Sequence, residues 1–136
     1  MQDNDTTGKI RQPVVAGQFY NDNPEQLRAE IEKYIADAEK IQNIEPLALV
    51  APHAGYVFSG WIAGNSYRQI QGRDYQTVVV ISPCHVEHFT FSSVLTEGAY
   101  ATPLGTIPID TEPAKELAAQ SDLVKESEKG HFSTYQ

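Results

Sequence analysis

The sequence predicts an α/β fold, a mostly parallel sheet flanked by helices. Two apolar runs carry that expectation, Leu47-Ala48-Leu49-Val50-Ala51 and Thr77-Val78-Val79-Val80-Ile81. Neither alternates with polar residues, as strands buried on both faces require. The stretch between them has the length of a helical crossover. Strand, helix and strand then make a right-handed unit with parallel neighbours, Leu47–Ala51 beside Thr77–Ser82.

The remaining elements follow in chain order. Residues 1–10 read as a flexible polar tail with no apolar signal-peptide core. Arg11 to Tyr20 reads as extended, with Pro13 and Gly17 inside it. Asn23-Pro24 starts a helix, with Asn23 as N-cap, Pro24 at the first helical position and Gln26 where a capping box places it. Leu27, Ile31, Tyr34, Ile35 and Ala38 form its apolar stripe, and it runs to about Lys40. Val57 to Ile70 reads as a helix whose small residues, Ser59, Gly60, Ala63 and Gly64, permit close packing on the sheet, with Trp61 and Tyr67 in the core. Gly72 stops it. Phe91–Leu95 reads as a strand, Pro103-Leu104-Gly105 as a turn between two short extended pieces, and Thr111–Gln120 as a helix capped by Thr111 or Asp110. Glu126 to Gln136 shows no pattern.

Composition narrows the function classes. The chain has 136 residues, the length of one domain, with 18 acidic against 10 basic residues and a net charge of -8. Phosphate recognition needs clustered Lys and Arg, so nucleic acid is not an expected partner, nor is an anionic membrane surface. No apolar run reaches the ~20 residues that span a bilayer. Cys84 is the single cysteine, so no internal disulfide forms, and cytoplasmic residence is the default expectation. No phosphate-binding glycine pattern is present, so no nucleotide cofactor is expected.

The chemistry collects at the strand ends. Each apolar run is followed by a proline and then a histidine, His53 after Pro52 and His85 after Pro83. Ligands of open parallel sheets bind beyond the carboxyl ends of the strands. Neighbouring strands would bring the two imidazoles to one ion. Singly, each histidine reads more simply as a hydrogen-bonding surface group; the repeated placement favours a pair. Four further candidates stand beside it: Cys84 as a thiolate, His88, Tyr56 as a proton donor or lid, and His131. For Cys84 the simpler reading is a small packed residue at a turn. Two histidines alone fall short of the three protein ligands a catalytic metal requires.

At these residues the sequence resembles the Memo family, whose prokaryotic members are called AmmeMemoRadiSam system protein B. Arg11-Gln12-Pro13-Val14-Val15-Ala16-Gly17-Gln18-Phe19-Tyr20 is similar to the family's opening Ala-Gly-x-Phe-Tyr segment. Pro52-His53-Ala54-Gly55-Tyr56 with Phe58-Ser59-Gly60 resembles its most specific motif. Val78 to His85 resembles the strand ending Gly-Pro-Ser-His, here with Ser82 and Cys84 in place of glycine and serine. Tyr100-Ala101-Thr102-Pro103-Leu104-Gly105 with Asp110 resembles its Thr-Pro-Leu-Gly…Asp stretch.

The resemblance implies a fold like the class III extradiol dioxygenases (LigB-like) and a mononuclear site holding Fe(II), or Cu or Zn, with His53 and His85 as ligands. It implies oxygen-dependent or redox chemistry and, among prokaryotes, association with AMMECR1-like and radical S-adenosylmethionine proteins. Eukaryotic members are linked to phosphotyrosine receptor signalling and to iron or copper handling. Family members are roughly twice as long, and their second half supplies a His-x-x-Glu-His segment. Here His131 stands at its first histidine, with Thr134 and Tyr135 where glutamate and histidine are expected. The expectation is a shortened Memo-like domain over residues 11–136 with a weak, partial metal site and a tendency to self-associate. The alternatives are a non-catalytic module binding a phosphorylated peptide or a partner protein, and an inactive truncated remnant.

Overall fold

A computed structural model describes residues 9–132. It contains three helices, α1 (Pro24–Ala36), α2 (Tyr56–Arg68) and α3 (Thr111–Ala119). Five short strands accompany them, β1 (Ile10–Arg11), β2 (Ser92–Val94), β3 (Ala99–Thr102), β4 (Gly105–Pro108) and β5 (Val124–Glu126). The chain divides into two compact units, one of residues Val15–Gln76 and one of Met1–Val14 with Thr77–Gln136.

In the first unit, α1 begins as its sequence demands. The Asn23 side chain accepts from the backbone N–H groups of Glu25 and Gln26, both at 3.0 Å, and Pro24 follows it. This satisfies two donors that the first helical turn leaves without partners. The capping box closes through a relay. Asn21 takes the N–H of Asn23 on its Oδ1 at 2.9 Å and donates its Nδ2 to the Gln26 side chain at 2.7 Å. Helix α1 ends at Ala36, four residues before the expected Lys40. Leu27 faces inward and is 3% exposed.

The small residues of α2 do permit a close approach, but to α1 rather than to a sheet. A Cβ on Gly60 would lie 2.6 Å from the Tyr34 ring, and one on Gly64 would lie 2.5 Å from the Tyr34 carbonyl oxygen. The first obstacle is the end of a side chain; the second is backbone and cannot yield. Tyr34 in turn stands edge-on to Tyr56, with ring centres 6.4 Å apart. Beyond α2, buried Gln69 ties the unit together. Its amide nitrogen donates to the carbonyls of Glu39 and Asn65, and its oxygen accepts from the N–H of Ile41, all at 2.9 Å. Trp61 and Tyr67, expected in the core, are instead on the outer side of α2 at 58% and 50% exposure. The helix face turned to α1 is filled by glycines, which leaves its large side chains outside.

In the second unit, β1, β3 and β4 form a mixed sheet in that order, with β1 parallel to β3 and β3 antiparallel to β4. The β3–β4 hairpin turns at Pro103-Leu104. The Thr102 hydroxyl braces it, donating to the Gly105 carbonyl at 2.9 Å and accepting from the Leu104 N–H at 3.1 Å. Gly98 has φ +93°, and a Cβ there would lie 2.2 Å from the Lys9 carbonyl, so only glycine fits where β1 meets β3. Strands β2 and β5 form a separate parallel pair, and β5 falls in a stretch where the sequence shows no pattern. Asp110, not Thr111, holds the N-cap position of α3, and its carboxylate accepts from the Thr77 hydroxyl rather than from the helix.

The principal correction concerns the two apolar runs. Neither Leu47–Ala51 nor Thr77–Ser82 belongs to a strand, and no crossover unit forms between them. Two small sheets form instead, a mixed one of β1, β3 and β4 and a parallel pair of β2 and β5. Unbroken apolarity reports what a segment would bury, but a strand also needs a neighbour for its N–H and C=O groups. In the first run the Val50 carbonyl accepts from the Ser66 hydroxyl at 2.8 Å instead of from a strand. In the second, Val78, Val79, Val80 and Ile81 are between 66% and 91% exposed. Arg11 to Tyr20 is likewise strand only at Arg11; turns around Val14 and Gly17 follow.

The helix contact is directly testable. Gly64→Ala forces a methyl against the Tyr34 backbone and should cost about 1–3 kcal/mol of stability, the usual cost of overpacking. Asn23→Ala should cost about 1 kcal/mol through the lost cap. Urea unfolding of the two variants beside the wild type measures both. A Gly64→Ala protein as stable as the wild type would mean that α1 and α2 do not approach as described.

Candidate functional site

The two motif histidines stand on loops, but not at the ends of strands, because the apolar runs before them join no sheet. His53 lies in the first unit, on the loop before α2, and His85 lies in the second, in the bend after Ile81. Both are exposed, as is His88. Cys84 is half-buried, and its sulfur accepts from the Glu87 N–H at 3.3 Å, which holds the loop in a tight turn. Glu87 is tied in turn through its carboxylate, which accepts from the Gly130 N–H at 3.0 Å. Among the described residues, no group of three or more His, Cys, Asp and Glu side chains is suited to hold a metal ion.

Tyr56 is the first residue of α2. Its N–H donates to the Phe19 carbonyl at 2.7 Å, and its ring packs 5.7 Å from that of Tyr20. Burial raises its phenol above the ordinary value, with Tyr20, Tyr67 and Glu30 adding to the rise. The hydroxyl therefore stays protonated through the neutral range, and its surroundings are those of an aromatic packing group.

His131 is the most constrained of the candidates. Its Nδ1 is hydrogen-bonded to the Tyr100 hydroxyl, and its Nε2 lies 3.3 Å from the Ser93 carbonyl. The carbonyl can only accept, so Nε2 carries the proton, and Nδ1 then accepts from the phenol. Arg11 completes the cluster. Its Nε donates to the His131 carbonyl at 2.5 Å, and its guanidinium lies 5.3 Å from the centre of the Tyr100 ring. Strands β1, β2 and β3 thus each supply one group to the ring or its backbone. Both imidazole nitrogens are used by protein partners, which leaves no lone pair for a metal in this arrangement.

The local sequence offered no signal for this cluster. Arg11 and His131 are 120 positions apart, and Tyr100 and His131 are 31 apart. The pairing of β1 with β3 sets Arg11 beside Tyr100, and hydrogen bonds to Arg11, Tyr100 and Ser93 hold His131 against them.

Burial lowers the His131 pKa below its ordinary value of 6.5; the Ser93 carbonyl opposes this and the Arg11 charge reinforces it. A histidine depressed in the folded state stabilises the fold fully above its unfolded pKa, near 6.5, and loses that contribution as pH falls through the lower folded value. Wild-type stability should therefore drop more steeply below about pH 6.5 than that of His131→Gln, which has no ring to protonate. Thermal unfolding of both proteins across this range checks it. Parallel pH profiles would contradict the buried, neutral imidazole.

Comparison with known proteins bears on the whole chain. A family model described as Memo-like protein matches residues 11–134. A MEMO1 family protein of Nitrosopumilus maritimus is 35% identical over 127 residues, covering 90% of this chain and 46% of the relative. One from Thermoplasma volcanium is 33% identical over 122 residues, covering 90% and 45%. One from Methanothermobacter thermautotrophicus is 32% identical over 139 residues, covering 93% and 48%. The chain spans a little under half the length of these curated relatives. With its motif histidines inside the matched stretch, the chain belongs to the Memo-like protein family.

Proposed function

We propose that the chain binds a divalent metal weakly through His53 and His85, as part of a Memo-like mononuclear site on a class III extradiol dioxygenase-like (LigB-like) arrangement. The observation that supports this reading most is the match over residues 11–134, which includes both Pro-His motifs. Each motif sets a proline and then a histidine just after an apolar run, Pro52-His53 after Ala51 and Pro83-Cys84-His85 after Ile81-Ser82. Imidazole suits Fe(II), Zn(II) and Cu(II) alike, so two histidines do not by themselves select among them.

A complete catalytic centre does not fit the residues present. Three protein ligands are the usual minimum for a catalytic metal. The described residues assemble no such set, the His131 ring nitrogens are engaged, and the Cys84 sulfur accepts from a backbone N–H. The proposal is therefore one of binding, not turnover. The iron redox or dioxygenase-like chemistry that the family resemblance implies would need ligands beyond these two histidines. Association with AMMECR1-like or radical S-adenosylmethionine proteins belongs to the same proposal.

Isothermal titration with Fe(II), Zn(II) and Cu(II) tests it on the wild type and on the His53→Ala/His85→Ala double variant. Weak binding is expected in the wild type, falling with pH because an imidazole binds metal only when neutral, and absent in the double variant. Equal binding by both proteins would remove the paired-histidine site. Tight wild-type binding that His131→Gln also abolishes would overturn the assignment of His131 to the Tyr100 cluster.

A further inference from the structure

We propose that Glu87 is a positioning residue, a strut that holds the loop carrying His85 against the Tyr100–His131 cluster, so that the order of each depends on the other. Its effect on metal affinity rests on the reading of His85 as a ligand; the strut itself does not. Both of its anchor points lie in one compact unit. Cys84 and Glu87 bracket His85 and Val86, and the Cys84 sulfur accepts from the Glu87 N–H at 3.3 Å. His85 therefore sits at the tip of a closed turn whose last residue is Glu87. Sulfur is a weak acceptor, so this bond alone fixes the turn loosely.

The Glu87 carboxylate supplies a firmer hold. It reaches 43 positions along the chain and accepts from the Gly130 N–H at 3.0 Å. A hydrogen bond to a charged acceptor is stronger than one between neutral groups. The donor is itself fixed. Gly130 has φ +78°, which glycine adopts without strain, and its neighbour His131 is held on every side. The His131 N–H donates to the Glu128 carbonyl at 3.1 Å, the ring engages the Tyr100 hydroxyl and the Ser93 carbonyl, and the His131 carbonyl accepts from Arg11. One bond thus runs from the turn that presents His85 to the backbone beside His131.

The simpler reading makes Glu87 one more solvated carboxylate, since it is exposed and exposed ion pairs contribute little. The kind of partner argues against that. Glu128 pairs with the flexible side chain of Lys9, which can swing away at little cost. Glu87 is bonded to a backbone N–H, which leaves only if the chain around Gly130 moves. Coupling through such a bond is reciprocal: loosening either end frees the other.

Backbone nitrogen relaxation of the full chain tests the strut without metal, and Zn(II) titration followed at the His85 ring tests its effect on binding. Glu87→Ala removes the acceptor. Glu87→Gln keeps an amide oxygen for the Gly130 N–H. Tyr100→Phe removes the phenol oxygen from His131 and leaves the loop sequence intact. Order parameters of residues 84–88 should fall from about 0.85 to about 0.6 or below in Glu87→Ala and in Tyr100→Phe, and stay near wild-type values in Glu87→Gln. A role confined to the local turn would not respond to Tyr100→Phe. Zn(II) affinity should weaken by about twofold to tenfold in Glu87→Ala, the range one hydrogen bond spans, and recover in Glu87→Gln. The β3–β4 hairpin amides report whether each variant is folded. Unchanged loop order in Glu87→Ala, or a loop that ignores Tyr100→Phe, would overturn the strut. Equal Zn(II) affinity in the wild type and Glu87→Ala would overturn its effect on binding and leave the paired-histidine site standing. A His85 ring that Zn(II) does not perturb in the wild type would overturn that site instead, with the strut still decided by the relaxation data.

Discussion

A β-strand exists only where a neighbour takes its N–H and C=O groups, and this constraint decides what the chain builds. The strands that form are those with a partner within the described residues. Strand β1 pairs with β3, β3 turns back on itself as β4, and β2 meets β5. The segment with the strongest intrinsic strand preference, Thr77–Ile81, has no such neighbour and joins no sheet. Helices need no outside partner for their backbones, and α1 and α2 form at nearly the expected places. What remains for packing is mainly the α1–α2 contact and a few buried residues, Leu27, Ala38 and Ala99 among them.

Local chemistry was legible wherever it acts over a few residues. The Asn23 cap, the Pro103-Leu104 turn and the small-residue face of α2 were all written in adjacent positions. Partner choice was not. The glycines of α2 announced a close approach, but nothing in their spacing said that Tyr34 of α1, rather than a sheet, would fill it. The apolar runs announced burial without naming a cover. Strand β5 was invisible because Val124-Lys125-Glu126 is short and charged, and it exists through its pairing with Ser92–Val94.

The candidate site divides in the same way. Family membership and the two Pro-His motifs could be read from the chain itself. The Arg11–Tyr100–His131 cluster could not, because long-range strand pairing and hydrogen bonds assemble it. Its consequence is chemical. The sequence offered His131 as a further ligand, whereas its ring is committed to a phenol and a carbonyl, and burial favours its neutral form. A lone cysteine beside a motif histidine likewise has a local role, accepting the Glu87 N–H in the turn. The ligand count that would turn binding into catalysis is therefore not met within the described residues.

Hydrogen exchange in dilute protein tests the central claim, that the run Thr77–Ile81 has no strand partner among the described residues. Amides of Val78–Ile81 should exchange at nearly the rate of an unstructured chain, while those of α1 and of the β3–β4 hairpin are protected. Protection of residues 78–81 equal to that of the hairpin, at concentrations where the protein is monomeric, would show an intramolecular ladder there and contradict the account.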